Sequence, residues 1–188
     1  MTRPNGTAVA ERLITAEELL EHPEWEPCEL VRGKVVYMSL PGGEHGEIAG
    51  LIFGLLFVHV RANDSGKVYA AETGFIFSRN PDTVLGPDVM FFSKRRLPEG
   101  GSPKGYFAVP PDLAVEVVSP SDRFSKVMKK AQSYIAAGVR LVWVVDPETR
   151  QAHVFRPGKP VAIVEAHESL SGEDVLPGFT LPLSEIFR

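Results

Sequence analysis

The 188-residue sequence holds a single cysteine, Cys28. Neither an intrachain disulfide nor a cysteine-built zinc site can form, which suits a reducing cytoplasm. The N-terminus, MTRPNGTAVAERL, lacks the apolar core of a signal peptide. A long hydrophobic run is lacking too. The longest apolar stretch, Ile48 to Val60, is broken by Gly50, Gly54 and His59 and falls short of the ~20 residues that cross a bilayer. A cytoplasmic chain without a membrane partner is therefore expected. There is no surplus of positive charge, since 20 Lys+Arg face 24 Asp+Glu for a net charge of −4. That excludes a polybasic nucleic-acid coat but leaves room for a local basic patch. Internal repeats, low-complexity tracts and long linkers are missing as well. The expectation is a flexible arm over residues 1–13 and one domain over 14–188.

What is present alternates between helix and strand signals. Thr15-Ala16-Glu17-Glu18 is a capping box that opens a short helix ending before Pro23. Cys28 to Met38 reads as a hairpin turning at Gly33. From Glu44 to Ala62, Ile48, Leu51, Ile52, Leu55 and Leu56 keep the spacing of one buried helix face. Lys67–Ala71, Gly74–Ser78 and Asp88–Phe92 read as strands. Asp112 to Val118 is nearly all apolar, as a central strand covered on both faces would be. A helix capped by Asp122 follows and ends at Gly138. Arg140–Val145 reads as a second buried strand. Gln151–Phe155 and Val161–Ala166 read as edge strands. This order predicts an α/β or α+β sheet domain with extra strands at both ends.

Two acids stand where charge is costly. Glu116 sits inside Leu113-Ala114-Val115-Glu116-Val117-Val118, and Asp88 opens Asp88-Val89-Met90-Phe91-Phe92. A buried ionised carboxylate must be protonated, paired or bound to a metal. An ion pair or a solvent-facing strand end would satisfy either. Neighbouring strands lie roughly 4.8 Å apart, so the two acids can also share one hard cation. Magnesium suits such a site, with the carbonyl of Val117 as a further ligand. On the next helix Lys130 falls at the border of the apolar stripe, where its stem can carry the ammonium back toward the strand ends. A solvated helix lysine is the plainer alternative.

These residues resemble a known family. Gly86-Pro87-Asp88-Val89, the run Pro111 to Asp122, Lys130 with Tyr134, and Gly138-Val139 with Trp143 to Pro147 resemble the Uma-two family, restriction-endonuclease-like proteins of the PD-(D/E)XK nuclease superfamily. Glu29 to Gly33, His45 and Leu176 to Phe179 extend the likeness over about residues 27–187. The resemblance implies a mixed β-sheet flanked by helices and a Mg2+- or Mn2+-dependent endonuclease acting on DNA. It places the metal-binding acids at Asp88 and Glu116. The superfamily lysine belongs two residues after the second acid, where this chain has Val118; the matching lysine is Lys130 on the following helix. Glu29 and His45 are candidates for a supporting catalytic role, against a cross-strand pair and a core histidine. Lys94, Arg95, Arg96 and Lys104 follow one acid, and Arg123 and Lys126 follow the other, so both clusters are candidate DNA contacts. A homodimer or larger homo-oligomer is expected, and a non-catalytic binding or scaffold module on the same fold is the competing function.

Overall fold

The structure is a computed structural model that describes residues 12–71 and 73–187. The arm expected over residues 1–13 lies outside them except for Arg12, which pairs with Glu18, and Leu13, which packs over Gly33. Helix α1 (Ala16–Leu20) begins with the expected box: the Thr15 hydroxyl accepts from the Glu18 N–H at 3.1 Å, and the Glu18 carboxylate accepts from the Thr15 N–H at 2.9 Å. Strands β1 (Cys28–Val31) and β2 (Lys34–Tyr37) form the expected hairpin. Its two turn residues, Arg32 and Gly33, have φ of 51° and 74°, as a tight hairpin with right-handed strand twist requires.

Helix α2 (Gly43–Ala62) leads into β3 (Gly66–Ala70), β4 (Phe75–Ser78), β5 (Thr83–Leu85), β6 (Val89–Ser93) and β7 (Leu113–Val117). Helix α3 (Phe124–Ala136) then crosses over to β8 (Leu141–Asp146), followed by β9 (Gln151–Phe155), β10 (Ala162–Val164), β11 (Ser169–Ser171), β12 (Thr180–Pro182) and the short α4 (Leu183–Ile186).

The main sheet is mixed, in the order β10-β9-β8-β7-β6-β3. Only β7 and β8 run parallel, and a parallel pair needs a crossover, which α3 supplies. One face buries Val115, Val117, Trp143 and Val145 against Ile48, Ile52, Leu56 and Val60 of α2. The other buries Ala114, Val142 and Val144 against Val127, Ala131 and Tyr134 of α3. With both faces covered, β7 and β8 are buried at every residue, which explains their apolar runs. Trp143 and Tyr134 are among the largest fully buried side chains. By length and composition α2 is apolar enough to cross a membrane, unlike the reading of its interrupted sequence, but its apolar stripe is packed on the sheet.

A second sheet, β2-β1-β5-β4, stands beside the main one, with Leu30 and Val84 packed on Ala16 and Leu19 of α1. Its strand β5 has no counterpart in the sequence reading, because three residues between turns leave no periodicity to detect. Strand β9 is interior rather than an edge, with β8 on one side and β10 on the other. The cap of α3 also differs. Arg123 occupies that position without a side-chain bond, while Asp122 accepts from the Ser119 N–H at 2.9 Å. Gly138 closes the helix with φ 98°, as expected.

Candidate active site

The antiparallel register of β6 and β7 pairs Val89 with Val115 and Met90 with Ala114. One step further, Asp88 stands across from Glu116. Met90 and Ala114 face α3, so strand alternation aims Glu116 at that helix. Asp88 lies at the mouth of β6. Its Oδ2 accepts from the backbone N–H of Val117 at 2.7 Å and lies 3.2 Å from Nε2 of His45, in the first turn of α2. Just past β7, the Val118 N–H donates to the carbonyl of Val145 on β8. The Val117 N–H and carbonyl therefore turn to the other edge, the Asp88 side.

Lys130 reaches back as its position on the stripe suggested. Its Nζ is 2.9 Å from Oε1 of Glu116 and 2.9 Å from Oε1 of Glu29, and 5.8 Å from the centre of the Tyr134 ring. Glu29, on β1, also accepts from the Gly86 N–H at 3.1 Å, just ahead of Asp88. Its partner across the β1–β2 hairpin is Val36. The structure thus gathers Asp88, Glu116, Lys130, Glu29 and His45 at one end of the main sheet. It adds Tyr134, whose hydroxyl donates to Oε1 of Glu116 at 2.6 Å. The sequence signal for Tyr134 was its place four residues after Lys130, on the same helix face.

The electrostatics are lopsided. Burial pushes the Glu116 carboxyl up to about 7; the Lys130 ammonium pulls it back and the Asp88 carboxylate adds to the rise. Burial also works against the Lys130 ammonium, but Glu116 and Glu29 outweigh it and hold its pKa above the ordinary lysine value. Tyr134 is raised by burial and by Glu116. His45 is raised by its bond to Asp88, against burial. Its buried Nδ1 meets no hydrogen-bond partner among the described residues.

No group of three His, Cys, Asp or Glu side chains among the described residues is placed to hold a metal. A hard cation needs fewer. Magnesium is commonly held by one or two carboxylates and takes its other ligands from water and phosphate. Oδ1 of Asp88 and Oε2 of Glu116 receive no hydrogen bond from the described residues. Each acid thus keeps one oxygen of the kind that a magnesium-type ion takes as a ligand.

The two basic clusters part company. Strand β6 carries the chain away from Asp88 for five residues, roughly 16 Å at strand rise, before Lys94, Arg95 and Arg96 emerge. Lys94 pairs with Asp64. Arg96 is spent on the carbonyls of Pro110, Pro111 and Gly138 and on Asp112, so it braces a loop rather than offering a free cation. Closeness in sequence misleads here, since a strand moves whatever follows it to the far end. Arg95 and Lys104 are exposed on that same loop. Arg123 and Lys126 are exposed at the start of α3, which follows β7 from the Glu116 end.

A family model described as "Putative restriction endonuclease" matches residues 16–184. The chain belongs to the Uma2 family. Among solved structures, it is similar to "a putative nuclease belonging to DUF820" from Anabaena variabilis, with 25% identity over 93% of this chain and 97% of that one and a TM-score of 0.81. A comparison with curated proteins finds no match. The family and this neighbour agree with the mixed sheet flanked by helices, and membership of Uma2 makes the chain nuclease-like in fold.

Proposed function

We propose that this Uma2 chain is a magnesium- or manganese-dependent endonuclease that hydrolyses phosphodiester bonds of DNA in the cytoplasm, with residues 14–188 as its single domain. One observation carries the reading: the part-buried Asp88 and the buried Glu116 lie at adjoining strand ends, each with an oxygen that receives no hydrogen bond from the described residues, beside a lysine that bridges to a third acid. Asp88 and Glu116 would hold the cation, with the Val117 carbonyl beside them. When bound, such an ion polarises a phosphoryl oxygen and lowers the pKa of water. Lys130 keeps positive charge where negative charge grows on the phosphate, in surroundings that strengthen the effect. Glu29 and the Gly86 N–H anchor that ammonium, and His45 and the Val117 N–H fix the Asp88 carboxylate. Arg123 and Lys126, exposed at the start of α3, would contact the phosphate backbone.

The test is cleavage of plasmid and linear DNA with magnesium or manganese, set beside Asp88→Asn and Glu116→Gln. Activity lost in both variants at unchanged fold supports the reading. A wild type that cuts no DNA form overturns it. A second reading, a non-catalytic oligomeric module, draws on strand β2, an edge of the small sheet. Val36, Tyr37 and Met38 are exposed there, Tyr37 at 68%. Magnesium titration by calorimetry separates the two: binding heat that vanishes in both acid variants favours the enzyme, and its absence from the wild type favours the module.

A further inference from the structure

A cleft of ≈ 790 Å³ opens between the small sheet and α3. One stretch of its wall is Glu29 with Lys130, the pair that leads on to Glu116. The rest of the lining mixes polar side chains with four apolar ones, Val31, Pro81, Leu85 and the half-buried Phe77. Two cations stand at its margins, Arg32 on the β1–β2 turn and Lys126 on α3, both exposed. Arg79, in the same wall, is held by Glu17 and Asp82. Among the described residues Arg32 and Lys126 meet no carboxylate.

A partly exposed aromatic side chain in a wall whose margins carry two cations matches the chemistry of an unstacked nucleotide. Bases stack on aromatic rings, and the backbone follows positive charge. A duplex hides its base faces and offers nothing to an apolar wall. The volume points the same way, because clefts of roughly 300–1,000 Å³ hold a drug-sized ligand, about one or two nucleotides and not a double helix. We infer that this cleft binds single-stranded DNA, with a base on Phe77 and phosphates at Arg32 and Lys126, and delivers the strand to the Lys130 end. The inference rests on the phosphodiesterase reading for what happens to that strand, not for the binding itself.

The test uses the full chain in EDTA, where binding is read without cleavage. Fluorescence anisotropy compares a labelled twelve-nucleotide single strand with the blunt duplex of the same sequence. The single strand should bind at least about tenfold more tightly, and Phe77→Ala should weaken it by about tenfold, the scale of one stacked base. Phe77→Leu keeps most of the packing volume without the ring, so the comparison survives if the alanine variant unfolds. Removing Arg32 and Lys126 together should lower the salt slope by about 0.7 for each phosphate no longer neutralised. Lys94→Ala with Arg95→Ala, at the far end of β6, should change nothing. Equal or tighter duplex binding, or a Phe77→Leu variant that binds like wild type, overturns the inference. Strand binding intact in EDTA with no cleavage in magnesium supports the cleft and overturns only the nuclease reading.

Discussion

A buried acid stands at each end of β7. Asp112 precedes the strand and is 2% exposed; Glu116 lies near its other end and is 8% exposed. Asp112 is closed on both oxygens. Its Oδ2 accepts from the Ser93 N–H at 2.8 Å, and its Oδ1 lies 3.2 Å from Arg96 and 3.4 Å from Arg140. Those arginines go on to bind carbonyls and Asp174, so the loop after β6, the turn before β8 and the strand are tied together. Glu116 instead receives both its donors, Lys130 and Tyr134, on one oxygen, and shares its lysine with Glu29 while Asp88 stands nearby. Three carboxylates there face one lysine and one histidine. A site built only for stability would be balanced, as the Asp112 end is. The unbalanced end leaves room for an added cation.

That contrast can be broken first by catalysis. Asp88→Asn or Glu116→Gln should cut the cleavage rate to below about a thousandth of wild type. Circular dichroism should show the fold retained. Asp112 should behave in the opposite way. Asp112→Asn leaves two arginines without their buried partner and should cost about 3–5 kcal/mol in urea unfolding. If the Glu116 variant loses more stability than the Asp112 variant, the two ends have been assigned the wrong way round.

The pH dependence sharpens the comparison. The folded-state pKa of Glu116 stands near 7, above its ordinary value of 4.5, so the folded protein binds that proton more tightly than the unfolded chain does. The associated stability is fully present below pH 4.5 and is lost as pH rises through 7. In metal-free buffer the wild type should therefore lose on the order of 2 kcal/mol relative to Glu116→Gln between pH 4.5 and 7.5. Thermal melts of both proteins across that range measure it, and parallel curves would place Glu116 in a balanced environment. Tyr134→Phe removes a donor to the Glu116 anion. It should shift the acid limb of the cleavage profile upward by roughly half a pH unit. Smallest of all, Lys94→Ala should change unfolding free energy by less than about 0.5 kcal/mol, since its pair with Asp64 is solvent-exposed.

The parts legible in the sequence are those with strong local physics. The apolar runs of β7 and β8, the α2 stripe, the Thr15–Glu18 box and the Arg32-Gly33 turn each record their structure over a few residues. Asp88 and Glu116 were visible because charge inside an apolar run is costly. Less legible were elements without a pattern of their own, such as β5, β11 and β12, each three residues long. They are strands only because a partner is at hand. The interior place of β9 was hidden for the same reason, since its second neighbour, β10, follows it by a loop and could have left it an edge.

Local propensity and hydrophobic period, which depend on near neighbours, were enough to determine the longer strands and helices and the anomalous acids. Only the tertiary structure decided that Lys130 meets Glu29 as well as Glu116, that Tyr134 joins them, and that Arg96 braces the far end instead of facing a ligand. Those outcomes depend on strand order, register and direction, which bring together side chains dozens of residues apart. Coulomb and hydrogen-bond forces between such groups act over a few ångströms in space, whatever their distance along the chain.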